Sequence, residues 1–284
     1  MESSIITSTQ NSRIKRVLLL QQKSSERRQT GLFVVEGYRE LCRCIDAGLI
    51  IEEVYRCPEL CPQPLPSDRA NEPSVAYGTY GTHELQKPHN PYTTFHVSPT
   101  VYERMAYRGS TEGVIAVVRQ QKLSLSDIDL SGQPLIMVLE SVEKPGNLGA
   151  VLRSADAAGV TAVIVCDPLT DLCNPNLIRA SIGAFFSVPL VACSSEECIA
   201  FLKDNGIAIL TAQLQDSSLY YDTDMRRPVA IVMGTEATGL TPQWRKAADA
   251  HIRIPMLGRQ DSLNVSVSAA ILLFEAVRQR HNAL

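Results

Sequence analysis

The apolar and polar positions of this chain divide it into two halves. From about Pro134 onward, short runs of consecutive apolar residues recur: "PLIMVL", "TAVIVC", "SVPLVAC", "GIAILTA", "PVAIVMG" and "HIRIP". Each has the length of a strand, and β-branched residues, which pack well on a pleated surface, are frequent in them. Helical spacing fills the intervals, and "SLNVSVSAAILLFEAVRQR" closes the chain as a long amphipathic helix. Buried strands alternating with helices predict an α/β domain with a largely parallel sheet covered on both faces. Ligands of such sheets sit beyond the carboxyl ends of the strands, so the loops after strands are where chemistry is to be sought.

The first half, up to about Gln120, has a less regular rhythm. It opens with a basic segment, where Arg13, Lys15, Arg16, Lys23, Arg27 and Arg28 are accompanied by Glu26 alone. Ile14, Val17, Leu18 and Leu20 give that segment one buried helical stripe. "LFVVEG" reads as a strand, "YRELCRCIDAG" as a helix stopped by Gly48, and "IIEEVYRC" as another strand. The Pro-rich "CPELCPQPLPSDRANEP" predicts a surface excursion. "TFHVS", a helical "PTVYERMAYR" and a final strand "GVIAVVRQ" complete a small α/β domain. The polar stretch "QQKLSLSDIDLSGQ" reads as a linker. The expected organisation is therefore a first domain over 1–120, a linker over 121–133 and a second domain over 134–284.

A length of 284 residues accommodates two such domains. The net charge of −3 does not mark the whole molecule as a nucleic-acid binder, so that argument rests on local charge. The one apolar run near the start, "VLLL", is too short for a secretory signal, and no segment has the length of a membrane span. A soluble cytoplasmic protein with no membrane partner is expected. Among the eight cysteines, Cys42 and Cys44 lie one residue apart, and Cys57 and Cys61 are separated by three. Neither is the two-residue gap typical of a zinc knuckle. Cys166, Cys173, Cys193 and Cys198 are scattered. All eight are expected to be reduced, with no metal bound.

Three loops that follow strands carry candidate chemistry. "EKPGNLGAVLRSADAAG" has the strand, Gly-rich turn and helix outline of a phosphate cradle. Its glycines do not fit the dinucleotide fingerprint, and no P-loop lysine follows. What remains is Asn147 and, six residues on, Arg153 within an otherwise apolar helix. "VMGTEATGL" places Gly234 where backbone can approach closely and Glu236 at a turn. "IPMLGRQDSLNVSVSAA" leaves a strand and enters the last helix near Ser262, with Ser262 as its cap and Asn264 in its first turn. Taken singly, these residues have ordinary roles: a surface arginine, a first-turn carboxylate and a capping serine.

Together and in this order, the three loops resemble the motifs of the SpoU group of ribose methyltransferases, within the SPOUT superfamily. "PGNLGAVLRSADAAG", "MGTEATGL" and "IPMLGRQDSLNVSVSAA" match its first, second and third motifs. The first half, through "FVVEGYREL" and "GVIAVV", resembles more briefly the small RNA-binding domain that many members carry in front. The resemblance implies a sheet ending in a deep trefoil knot, a rare exception to the rule against knotting. It implies a methyl transfer from S-adenosylmethionine to a ribose 2′-hydroxyl in RNA, at a site built on a homodimer interface. The final helix, with Ile271, Leu272, Phe274 and Val277, is its candidate element for that interface.

By the same similarity, Gly234, Ile254 and Leu263 would contact the cofactor, with Met256 nearby. Asn147, Arg153, Glu236, Ser262 and Asn264 occupy the polar active-site positions, and Arg179 that of an arginine near RNA phosphate. A ribose hydroxyl is a very weak acid, and the motifs contain no His or Cys to act as its base. An arginine can stabilise the alkoxide and grip a phosphate, the role assigned to Arg153, with proton removal by Arg153 left open. Lys144 departs from the small acidic or amide residue common before the proline. Arg13, Lys15 and Arg16 are candidate phosphate contacts, and Tyr77, Tyr80, Tyr92, Tyr102 and Tyr107 candidate stacking groups. Ribosomal RNA of the large subunit, 23S, is the first expectation for the substrate and transfer RNA the second. A dehydrogenase-type nucleotide protein and an inactive RNA-binding protein are the rival readings.

Overall fold

A computed structural model describes residues 5–66, 92–107, 112–235 and 238–281. The chain forms two compact units, Met1–Gln121 and Lys122–Leu284.

In the first unit, the Asn11 side chain caps α1 (Ser12–Gln22) by accepting from the Arg13 backbone N–H. Ile14, Val17 and Leu20 are fully buried, as the apolar stripe predicts. The basic segment is not one helix: the chain breaks at Lys23, and α2 (Ser24–Thr30) follows, stopped by Gly31 at φ 67°. Arg27 is only 3% exposed, and its guanidinium donates to the carbonyls of Leu20 and Gln21 at the end of α1. Those carbonyls have no partner within their own helix, so Arg27 serves as an internal cap rather than part of a basic surface. Then come β1 (Leu32–Glu36), α3 (Tyr38–Asp46), β2 (Ile51–Arg56), β3 (Thr93–His96), α4 (Pro99–Met105) and β4 (Val114–Arg119). They form a mixed sheet in the order β1-β4-β2-β3, with β4 antiparallel to both neighbours. Tyr102, a stacking candidate from the sequence, is fully buried in this core, while Tyr77 and Tyr80 lie outside the described residues.

The second unit contains β5 (Leu135–Glu140), α5 (Pro145–Ala157), β6 (Ala162–Cys166), α6 (Pro175–Ser181), α7 (Ala184–Ser187) and β7 (Leu190–Cys193). Next follow α8 (Ser195–Asp204), β8 (Ala208–Ala212), β9 (Ser218–Leu219), β10 (Val229–Met233), α9 (Pro242–Ala247), β11 (Ala250–Arg253) and α10 (Val265–His281). The strands make one sheet in the order β7-β6-β5-β10-β8-β11-β9, every pair parallel. Strand residues alternate between two cores. Met137, Leu139 and Ile231 pack on one face with residues of α5 and α10. Ile136, Val138 and Val232 pack on the other with residues of α8 and with Trp244 of α9. The six strands expected from the sequence are all present; β9 has two residues and no apolar run to announce it.

The expected linker is a docked segment. Leu123 bridges to Val191, a 3₁₀ turn runs over Leu125–Asp127, and Leu123, Leu125, Ile128 and Leu130 join the second unit's core. Its weak apolar rhythm is the trace of that packing.

Helix α5 packs against α6 and α10. At the α6 contact, a Cβ on Gly149 would lie 2.6 Å from Ala180 Cβ and 2.7 Å from the Leu177 carbonyl oxygen. We expect Gly149→Val to cost about 1–3 kcal/mol through overpacking, read as a lower urea midpoint. A Cβ on Gly146 meets nothing within 4 Å, so Gly146→Ala should leave the midpoint unchanged or raise it. Equal midpoints for the two variants would refute the close α5–α6 approach.

Candidate active site

Strands β10, β8 and β11 are neighbours in the sheet. The chain leaving their carboxyl ends encloses a cavity of about 510 Å³. Its walls are Ala212 to Gln215 after β8, Gly234 and Thr235 after β10, and Ile254 and Met256 after β11. Asp261, Ser262 and Leu263, on the way into α10, and Val265, its first residue, also line it. This is where a parallel sheet places its ligands.

Gly234 is fixed by space, not by backbone conformation. A Cβ there would lie 2.3 Å from the carbonyl carbon and oxygen of Gly239 and 2.6 Å from the Leu240 nitrogen. The two arms of the loop therefore touch across Gly234. Gly239, at φ 67°, turns the chain, and its N–H donates to the Thr235 carbonyl at 3.1 Å. The Thr235 and Thr238 hydroxyls lie 2.8 Å apart. Glu236, a site residue expected from the sequence, lies outside the described residues.

A buried carboxylate anchors the far end of the loop. Glu140, the last residue of β5, is 2% exposed. Its Oε2 accepts from the Thr241 N–H at 2.8 Å and its Oε1 from the Thr241 hydroxyl at 2.6 Å. Beside it, Ser195 Oγ accepts from the Trp244 indole N–H at 3.0 Å and donates to Asp167 Oδ2 at 2.6 Å. Glu140 was not singled out from the sequence. The available signal was an acidic residue ending the otherwise apolar "PLIMVLE".

The first motif departs from its sequence reading. Helix α5 starts at Pro145, after Lys144 as its capping position, so Gly146 and Gly149 lie inside the helix and no Gly-rich turn precedes it. Pro at the first helical position fixes φ and lacks the N–H that would be unpaired there. Asn147 sits in that first turn, and its Oδ1 accepts from Asn264 Nδ2 at 3.3 Å. Helix α10 begins at Val265, not near Ser262. Asn264 takes the capping role expected of Ser262: its Oδ1 accepts from the Ser266 N–H at 3.0 Å and the Ser266 hydroxyl at 2.6 Å. Ser262 is instead an exposed loop residue on the cavity wall.

The structure thus brings Gly234, Ile254, Met256, Ser262 and Leu263 to one cavity and joins Asn147 to Asn264. Arg153 lies farther along α5, exposed, with no hydrogen-bond or ion-pair partner among the described residues. Arg179 is exposed on α6. Cavity residues that the motifs did not reveal include Arg245, which donates to Gln213 Oε1 at 3.0 Å and Gln215 Oε1 at 2.7 Å, and Arg253.

In the first unit, Arg13 and Arg16 both reach Glu53 Oε1, at 3.1 and 3.3 Å, and Arg16 lies 3.7 Å from Glu52. The Arg13 guanidinium also stands 4.4 Å over the Phe95 ring. Lys15 is exposed and has no partner among the described residues.

Comparison with known proteins bears on this site. The family model described as SpoU rRNA Methylase family matches residues 134–274, and the MRM3-like substrate binding domain matches 11–116. The chain is 40% identical over 154 residues to the 23S rRNA (guanosine-2′-O-)-methyltransferase RlmB of Xanthomonas axonopodis pv. citri. That alignment covers 54% of this chain and 62% of the relative. A crystal structure of an RNA 2′-O ribose methyltransferase superposes with a TM-score of 0.78 at 37% identity, covering 98% of this chain and 100% of the other. An AdoMet-bound rRNA methyltransferase from Sinorhizobium meliloti superposes with a TM-score of 0.83 at 28% identity, covering 97% of each chain.

Replacing Glu140 by Ala leaves the Thr241 N–H and hydroxyl without their acceptor. We expect Glu140→Ala to cost about 2–3 kcal/mol in chemical denaturation. A loss below about 0.5 kcal/mol, the size of an ordinary surface change, would show that the carboxylate does not anchor the loop.

Proposed function

This chain belongs to the SpoU rRNA methylase family, and from that membership we propose that it methylates a ribose 2′-hydroxyl of 23S ribosomal RNA, at a guanosine, with S-adenosylmethionine as donor. The observation that carries the reading is the cavity at the ends of β10, β8 and β11, with the joined Asn147 and Asn264 side chains as its companion feature.

The residues present fit the donor. Any side chain at position 234 would strike Gly239, so bare backbone faces the cavity there. Ile254, Met256 and Leu263 offer apolar and polarisable walls to an adenine ring, and backbone at the strand ends can hold its polar edge. When bound, the donor supplies a methyl group already activated on a sulfonium. The protein's part is then to position the hydroxyl and to stabilise the charge that develops on it. Asn147 and Asn264, fixed by their mutual hydrogen bond and by the start of α10, orient the ribose. Arg153, uncommitted to any described partner, grips phosphate and stabilises the alkoxide, and Arg179 adds a second phosphate contact. Ser262 stands between the cavity and α10 and hydrogen-bonds the hydroxyl, while Glu236 completes the polar set.

The rest of the reading follows the family. The segment around the cavity passes through a deep trefoil knot, and the enzyme is a cytoplasmic homodimer. Val267 and Phe274, each 47% exposed and seven residues apart on α10, are the apolar face offered to the second copy. The first unit binds RNA, with Lys15 free for phosphate and Arg13 and Arg16 able to exchange Glu53 for it.

Calorimetry with S-adenosylmethionine and with NAD tests the donor; binding of NAD alone would overturn the reading. Mapping 2′-O-methylation in RNA from cells with and without the gene tests the substrate, and an unchanged 23S rRNA pattern would reject it. Arg153→Ala is expected to bind the donor within about threefold of wild type while methyl transfer falls about 10²–10³-fold. Equal transfer by both proteins would remove Arg153 from the mechanism.

A further inference from the structure

Three cysteines with no part in the methyl transfer converge at the ends of two strands. Cys166 ends β6, Cys193 ends β7, and the two are direct partners in the parallel register. Cys198 joins them from α8, near its start. The three Sγ atoms all lie within 4.8 Å of one another. Among the described residues, no other group of three His, Cys, Asp or Glu side chains converges so closely. Cys166 and Cys198 are fully buried, and Cys193 is half-buried, so the cluster is enclosed yet reachable.

Isolated buried cysteines behave as small apolar residues. Three sulfurs directed at one point form a soft donor set. In tetrahedral zinc sites the metal–sulfur distance is about 2.3 Å, which sets sulfur–sulfur separations of roughly 3.8 Å. The observed triangle needs only small side-chain rotations to reach that.

We propose that Cys166, Cys193 and Cys198 bind a soft divalent cation of the zinc type through three thiolates, with water in the fourth position on the Cys193 side. Binding forms three metal–sulfur bonds and releases up to three thiol protons to solvent, with no change of oxidation state. The cation ties the start of α8 to the ends of β6 and β7. Ser195 lies in that same turn, between Cys193 and Cys198, and its hydroxyl holds Asp167 and Trp244 beside Glu140. The site therefore stiffens the frame on which the cavity loop is anchored, and it does so whatever substrate the cavity takes.

The test uses the full chain, purified under reducing conditions and stripped with a chelator. Zn²⁺ is titrated against a chromophoric competitor, and Co²⁺ is used to read thiolate-to-metal charge transfer. We expect one equivalent per chain, a thiolate charge-transfer band, proton release on binding and a higher Tm with Zn²⁺. Cys193→Ser should weaken binding by at least about tenfold, while Cys42→Ser, a cysteine of the first unit, should not. The wild-type Co²⁺ spectrum decides the matter even where a variant does not fold. Absence of uptake with all eight thiols reduced would overturn the proposal and leave the sulfurs as packing. So would equal uptake by Cys193→Ser, or a metal-free product lighter by two hydrogens, which would mean a disulfide.

Discussion

The loop that shapes the cavity depends on one buried carboxylate. Burying an ionised group is costly unless its lone pairs are met by donors, and Glu140 meets that condition through Thr241, which supplies both its N–H and its hydroxyl. Glu140 ends β5, and Thr241 lies beyond the end of β10, the strand paired with β5. The bond pair therefore fixes how the chain after β10 returns toward the sheet. With Thr241 held, the arms of the loop close on each other, and only glycine fits at position 234. Residues without functional chemistry of their own thus determine the shape of the chemical site.

Strand order then separates the cavity from the Asn147 side of the candidate site. The cavity sits over β10, β8 and β11, while α5, which carries Asn147 and Arg153, follows β5 on the other side of β10. Asn264, at the start of α10, reaches across to Asn147. The segment from Ser262 to Val265 belongs to both parts: Ser262, Leu263 and Val265 line the cavity, and Asn264 between them faces the Asn147 side. In the proposed reading, one short segment that touches both parts is a way to hold two substrates in a fixed relation, which is what a transfer between them requires.

Much of this was legible in the sequence, because strands buried on both faces are written as uninterrupted apolar runs and the motifs sit in the loops after them. The family resemblance assigns Gly234, Ile254, Met256 and Leu263 to one cofactor site, and in the fold they line one cavity. What was not legible depends on partners distant in the chain. Nothing near Glu140 announces Thr241, a hundred and one residues away. The choice between Ser262 and Asn264 as helix cap turned on where α10 could pack, since both are good capping residues. Gly146 looked like a turn residue because Pro145 starts helices as readily as it breaks them. The three cysteines come from two strands and a helix, so no spacing rule finds them.

Charge shows the same limit, with a consequence for RNA. Counted along the chain, the opening segment is a run of cations with a single acidic residue among them. In the fold, Arg27 is consumed by helix carbonyls, and Arg13 and Arg16 share Glu53, whose other oxygen accepts from the Tyr55 hydroxyl at 2.7 Å. An arginine that leaves a carboxylate to meet a phosphate gains only the difference between two ion pairs, and it strands a buried Glu53. Its contribution to any RNA affinity, and to the salt dependence of that affinity, would then be smaller than that of an unpaired lysine. Lys15, exposed on the same helix, is the group for which neutralising a phosphate replaces no existing bond among the described residues. The paired arginines can still set direction. Arg13 is held over Phe95 as well as beside Glu53, so its guanidinium is presented in one orientation at little further entropic cost. If the first unit binds RNA as proposed, lysine would supply attraction and the arginines register.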